Sequence, residues 1–414
     1  MPFDFDSVDT GATAWVLASA ALVLLMTPGL AFFYSGMVRA KHALAMLMQN
    51  YVTIGIVSLV WVVAGFSLAF GKGNGFIGDL HFAGLQNIGD TIPGYVDNLA
   101  QVVPPMVFVI FQLMFAVITP ALITGSTADR WKFGAFVPFI ALWSILVYAP
   151  VAHWVFSPEG WLFQKGALDF AGGTVVHINA GVAGLALAIF LVRRRGWPGQ
   201  PMRPHNVPFV LLGAGLLWFG WFGFNAGSEL AADNTAAVAF VNTIAAPAAA
   251  LLAWLLVEKI KDGKPTSVGA ASGAVAGLVA ITPACASLTP IWAIVLGFLA
   301  GAVCAIAIEL KFKWGFDDSL DVVGIHLVGG LIGTLYLGFF ANGTGLIYSG
   351  NLTQLLVQAI AAVAVLVYSF VLAWVIGFAI QKTIGFRVKN EDEIAGIDTI
   401  VHGEEGYVLA DIRS

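Results

Sequence analysis

Eleven apolar stretches, each about long enough to cross a bilayer as helix, run almost end to end through this chain, separated by short polar links. A hydrocarbon core takes roughly 20 residues of helix. On that ruler the candidate spans are 12–36, 43–71, 101–127, 133–154, 172–192, 207–228, 235–257, 267–284, 289–310, 322–341 and 354–381. A backbone in lipid has to satisfy its own hydrogen bonds, which helices do. Composition agrees, with 59% hydrophobic and 10% charged residues against roughly a quarter charged in a soluble domain. The expectation is an all-α membrane protein of eleven transmembrane helices, forming one membrane domain over 1–382. No basic patch for nucleic acid is present, and nothing points to a cofactor.

Charge gives the spans a direction. Of the 19 lysines and arginines, all but Lys72 and Lys165 fall in alternate links or in the C-terminal segment, from Arg39 and Lys41 through Arg193, Arg194 and Arg195 to Arg387, Lys389 and Arg413. By the positive-inside rule the N-terminus is outside and the C-terminus cytoplasmic. The acidic start MPFDFDSVDTG lacks the basic n-region of a cleavable leader, so the first span is expected to stay. Five spans precede the long basic link at 193–206 and five follow it, before a final helix. An odd number per half places the second half upside down, the inverted-repeat plan of many transporters, with the site at the repeat interface.

Two histidines stand at equivalent places in that plan, and each has an aspartate eight residues before it and a glycine four after: Asp169, His177, Gly181 and Asp318, His326, Gly330. Ionisable groups inside a membrane are costly and mark function by default. Neutral imidazoles each keep one donor and one acceptor nitrogen, so a facing pair shares a hydrogen bond and passes a proton. Two separate core histidines, each satisfied by a carbonyl, are the plainer alternative, and the symmetric setting favours the pair. Two histidines without converging cysteines or carboxylates fall short of a zinc site, so no metal is expected. Cys285 and Cys304 lie in apolar runs and read as small buried hydrophobes.

Glycines recur at four-residue spacing within spans, as Gly269, Gly273, Gly277, then Gly297, Gly301, then Gly329, Gly333. Small residues so placed let helices approach closely in lipid, so any conduit is expected to be narrow. Aromatic residues gather at Phe111 and Phe115 and from Trp218 to Phe224, with the Ser228 hydroxyl at the same end. Ring faces there attract a cation or plug the path.

Four stretches carry a family resemblance: Asp169-Phe-Ala-Gly-Gly-Thr-Val-Val-His177-Ile-Asn179, Trp221-Phe-Gly-Phe224-Asn-Ala-Gly-Ser228, Pro28-Gly-Leu-Ala-Phe-Phe-Tyr34-Ser-Gly36, and Asp317-Asp318 with Asp321 and His326. They resemble the ammonium transporter family (Amt/Mep/Rh), on its Amt side, from about Asp9 into the C-terminal tail. The resemblance implies a non-enzymatic ammonium transporter of the cell membrane, a homotrimer with one narrow pore per subunit. It assigns His177 and His326 to a twin-histidine pore centre, Phe115 and Phe224 to stacked rings gating the outer entrance, and Ser228 with Phe115 to the ammonium recruitment site. Asp169 matches an acid near the vestibule that is structural or favours the cation indirectly.

One position departs from the family. Where a tryptophan usually follows the Ala-His motif, the chain reads Ala152-His153-Trp154-Val155-Phe156. Either Phe156 forms a weaker cage, since a phenyl face attracts cations less than an indole, or Trp154 or Trp161 substitutes. Glu229, next to Ser228, adds negative charge nearby or is an ordinary solvated acid.

Residues 383–414 change character, with ten charged side chains beside Ile394, Ile397, Ile400, Tyr407, Val408 and Leu409. The charge predicts a water-facing cytoplasmic segment. The stretch from Gly396 through Asp398 and His402 to Gly403 resembles the family's regulatory tail, implying packing under the trimer and docking of a PII-type nitrogen-signalling protein. The reading that results is recruitment of ammonium at an outer aromatic and serine site, deprotonation, and passage of ammonia with its proton following. A neutral ammonia channel and an ammonium sensor signalling through the tail are the alternatives.

Overall fold

In the computed structural model, which describes residues 2–95, 102–199 and 202–407, the apolar stretches are helices packed side by side. They are α1 Thr10–Met37, α2 Ala40–Phe70, α3 Pro105–Thr127, α4 Phe133–Gln164, α5 Gly173–Phe190, α6 Val207–Glu229, α7 Asn234–Lys261, α8 Ser267–Ile281, α9 Pro290–Trp314, α10 Val323–Phe340 and α11 Thr353–Thr383. Ten are long and apolar enough to span a membrane, and α8, at 15 residues, is the short eleventh. It stops before the expected residue 284 where Pro283 follows, because a proline has no N–H to continue the helical ladder. The described residues of this multi-pass membrane protein form no sheet. Val408, Leu409, Asp411 and Arg413 lie outside them.

The glycine spacing acts as expected. Added Cβ atoms on Gly273 and Gly277 of α8 would meet Trp254, Ala250 and Pro247, and those on Gly297 and Gly301 of α9 would stand 2.0 and 2.2 Å from the carbonyl oxygens of Ala246 and Ala250. Both helices thus close on one small-residue stripe of α7. Outward faces are apolar, as on α11, where Leu356, Val363, Val367 and Val371 are exposed. Cys285 and Cys304 are free and buried.

α5 and α10 cross at the centre. A Cβ on Gly181 would stand 2.4 Å from the Leu327 nitrogen, and one on Gly330 would stand 3.1 Å from the Gly173 carbonyl oxygen and from His177 Cβ. The glycine four residues after each histidine therefore lets the other histidine-bearing segment in. Both helices open with π-turns, Gly173–Ile178 and Val323–Leu327, each containing its histidine. Such wide turns re-aim side chains and gather at functional sites.

Arginines and carboxylates knit one end of the bundle. Asp317, buried, sits between Arg130 (3.3 Å) and Arg194 (2.7 Å), while Arg130 also donates to the Val192 and Asp317 carbonyls. Burial opposes ionisation of Asp317, but the Arg194 hydrogen bonds and the two guanidinium charges win and hold its carboxyl below the usual range. Arg39 pairs with Asp129 at 2.9 Å at the same end.

The tail from α11 onward folds back against this end. Glu393 and Asp398 are buried, contrary to a uniformly water-facing tail, because each is a ligand to backbone N–H groups. Glu393 accepts from Arg195 N at 2.7 Å and from Arg387 at 2.7 Å. Asp398 accepts from Leu44 N (2.9 Å) and Ala45 N (2.8 Å), capping the helical stretch Ala43–Val60 within α2. Gly396 (φ 128°) and Gly403 (φ 69°) take conformations that favour glycine, and His402 meets the Phe133 ring edge-on at 5.2 Å between centroids.

Candidate functional site

A string of spaces runs along the bundle past the crossing of α5 and α10. At the end opposite the arginines lies a cavity of about 500 Å³, whose walls include Phe115, Phe156, Asp169, Ser228 and Glu229. A second cavity, about 320 Å³, opens among Arg39, Arg194, Lys311 and Asp321 at the arginine-rich end. Between them the free volume shrinks to about 10 Å³, enclosed by His177, His326, Trp221, Phe224 and aliphatic side chains. That is about the least that holds one water-sized molecule.

The rings of Phe115 and Phe224 close the passage between the large cavity and the histidines. They stack at 4.3 Å between centroids with 30° between planes, and Phe156 meets Phe115 edge-on at 6.3 Å. Beyond them His177 and His326 stack at 5.4 Å and 21°, their Nδ1 atoms 3.3 Å apart. Both are buried. His177 also stacks on Trp221 at 5.5 Å, and Trp221 is held by its N–H donating to Thr282 Oγ1 at 2.9 Å.

Each histidine helix is anchored by the aspartate eight residues before it. Asp169 accepts from the N–H groups of Gly172 (2.8 Å), Gly173, Thr174 (2.8 Å) and Val175 (3.2 Å) and from the Thr174 hydroxyl. A carboxylate at a helix N-terminus satisfies orphan donors and suits the dipole. Burial pushes the Asp169 carboxyl up, with these hydrogen bonds acting against it. Asp318 does the same for α10 with one bond, from Val323 N at 2.8 Å. Gln358 of α11 clamps the loop before Asp169, accepting from Leu168 N (2.8 Å) and donating to Leu168 O (2.7 Å).

Ser228 lies in the last turn of α6 at the cavity wall, its hydroxyl donating to Phe224 O at 2.8 Å and leaving the oxygen lone pairs free. Phe156, rather than a tryptophan, reaches the cavity. Trp154 turns away to donate to Phe76 O at 2.7 Å, and Trp161 packs beside it, so neither takes the place of Phe156. Trp221 and Gln112 were not singled out as site residues by sequence reading. Each lies three residues before an expected site phenylalanine, Phe224 and Phe115 respectively, and hence on the same helix face, a signal that was present.

The family model "Ammonium Transporter Family" matches residues 14–407. The chain belongs to the ammonium transporter family. An ammonium transporter of Mycobacterium tuberculosis is 52% identical over 97% of this chain and 91% of its own length, and one of Bacillus subtilis is 46% identical over 96% and 98%. Among solved structures, Candida albicans Mep2 superposes with a TM-score of 0.89 at 31% identity, covering 98% of this chain and 94% of that one. Saccharomyces cerevisiae Mep2 gives 0.86 at 35%, covering 94% and 92%. An ammonium transporter family protein of this kind is not an enzyme.

Proposed function

We propose that this chain is an ammonium transporter in which ammonium is captured in the large cavity, gives up a proton at the ring gate, and crosses as ammonia beside His177 and His326. The observation that carries this reading is the sequence of spaces: a roomy mouth with a few polar groups on mainly apolar walls, a stacked Phe115–Phe224 gate, then about 10 Å³ of apolar bore with two imidazoles in hydrogen-bonding reach.

Physical cost selects the neutral species in the bore. Moving a small ion from water into a low-dielectric interior costs of order 20 kcal/mol before compensation, and a space this small leaves no room for a hydration shell. At the mouth, the Ser228 oxygen accepts from the cation and the Phe115 and Phe156 faces attract it. The shared Nδ1 contact offers the released proton a route, so that net charge moves with each ammonia.

The same reading takes the arginine-rich end and the C-terminus as cytoplasmic, the large cavity as facing out, and the cell membrane as the location. It takes α1–α5 and α6–α10 as inverted repeats, supported by the reciprocal glycine contacts of α5 and α10. Residues 383–414 serve as a regulatory tail through Gly396, Asp398, His402 and Gly403. A homotrimer and a PII-type partner at the arginine-rich face follow from the family resemblance.

The test is current from proteoliposomes on a solid support after an ammonium jump, comparing wild type with His177→Ala. Saturable current lost in the variant supports charge-moving transport. Vesicles that stay electrically silent while ammonia gradients change their internal pH would make the protein a neutral channel, and silence in both assays would favour a sensor.

A further inference from the structure

We propose that Glu229 is a substrate-recruiting residue of the outer cavity, drawing small ammonium cations to Ser228 and offsetting the weaker ring of Phe156. The inference rests on the transport reading above.

Among the described residues lining this cavity only Asp169 and Glu229 carry formal charge, and none is a lysine or arginine. Asp169 is spent, since its two oxygens accept four backbone N–H groups and the Thr174 hydroxyl. Asp233, the next acid along the chain, caps its own helix through Ala236 N at 3.0 Å. Glu229 differs from Asp169: among the described residues no basic side chain forms an ion pair with it, and its one acidic neighbour, Asp233, shares a side-chain hydrogen bond with it, so the two acids form an uncompensated negative pair beside Ser228.

The backbone holds it in place. Ser228 and Glu229 belong to one tight turn, Gly227–Glu229, closed by Leu230 at φ 58°. The serine that offers an acceptor and the carboxylate that supplies charge are therefore adjacent on one wall. A second acceptor is ready there: Gln112 lines the same cavity, is 8% exposed, and its Oε1 has no hydrogen-bond partner. A partly enclosed cleft of one sign, with low-dielectric walls, focuses potential and raises the local concentration of counter-ions. The uncompensated Glu229–Asp233 acid pair, unpartnered amide oxygen, serine oxygen and two phenyl faces together suit a small cation with several N–H donors.

The measurement is half-saturation of the ammonium current in proteoliposomes at low and high ionic strength. For Glu229→Gln and Glu229→Ala the half-saturation concentration is expected to rise about three- to tenfold at low salt, with the gap closing as inert salt screens the charge, and with maximal current changed far less. Glu229→Asp should stay close to wild type, and adding Phe156→Trp to Glu229→Gln should recover part of the loss. Unchanged half-saturation at low salt in either neutral variant, with wild-type melting and size-exclusion behaviour, overturns the inference and leaves the transport reading standing. An increase that is equal at both salt concentrations also overturns it, because the residue then acts by shape. Wild-type vesicles without saturable current would remove the transport reading and this inference with it.

Discussion

Nδ1 of His326 lies 3.3 Å from Nδ1 of His177, with the two rings 21° from parallel. Two neutral imidazoles share one hydrogen bond through the same ring position only if they are opposite tautomers. One ring then presents a free acceptor at Nε2 and the other a free donor. Moving the shared proton across exchanges those roles, so a proton taken up at one end is matched by a proton released at the other. His177 Nε2, buried and unpartnered within the protein, is one such end.

Residues that act as one relay do not lose function additively. His177→Ala and His326→Ala should each lower the ammonium current by at least about tenfold, and the double variant should be no worse than the worse single one. Currents from equal amounts of reconstituted protein decide it. Losses that multiply in the double variant would mean the rings act independently.

The Arg130–Asp317–Arg194 cluster is a structural demand. Asp317→Ala strands two buried guanidinium groups, and breaking such a cluster costs about 3–5 kcal/mol. The variant should melt well below wild type in detergent, whereas Lys261→Ala, which removes an exposed pair with Glu309, should shift melting little. Equal melting for Asp317→Ala and wild type would contradict the assignment.

Asp318 makes stability depend on pH. Burial raises its carboxyl from 3.8 to about 6, with Lys311 acting against and Asp321 adding to the rise. A raised folded-state value favours the fold fully below about pH 4, and the contribution is lost as pH rises through about 6, amounting to roughly 3 kcal/mol at most. Asp318→Asn should therefore flatten the fall in melting temperature between pH 4.5 and 7.5. An identical slope in both proteins would remove Asp318 as its source.

Asp398 ties the tail to α2 across more than three hundred residues of chain. Removing a capping side chain costs about 0.5–2 kcal/mol, so Asp398→Ala should speed proteolysis within 384–407 and amide exchange at Leu44 and Ala45, with Asp398→Asn intermediate. Unchanged protection at both amides would show that Glu393 and the apolar contacts hold the tail without it.

Much of this was written in local pattern. Lipid imposes length and hydropathy on each span, so nine of the helices lie close to their expected bounds, while α4 runs on to Gln164 and α8 falls short where Pro283 stops it. The Asp, His, Gly spacing was visible twice because each aspartate caps the very helix that carries its histidine, and each glycine admits the other helix. The Phe156 departure was also visible, but which aromatic faced the cavity depended on Trp154 finding Phe76 O, a partner 78 residues away.

The sequence by itself determined a multi-pass helical protein with two matched histidines, because bilayer burial and helical period act on neighbouring residues. Only the tertiary structure decided that the histidines stand in hydrogen-bonding reach, that Asp169 is spent on backbone N–H groups while Glu229 meets no basic partner among the described residues, and that Glu393 and Asp398 are buried acceptors, the latter capping α2. Those outcomes are set by contacts between distant segments, where one ångström separates a hydrogen bond from none and no periodicity records the difference.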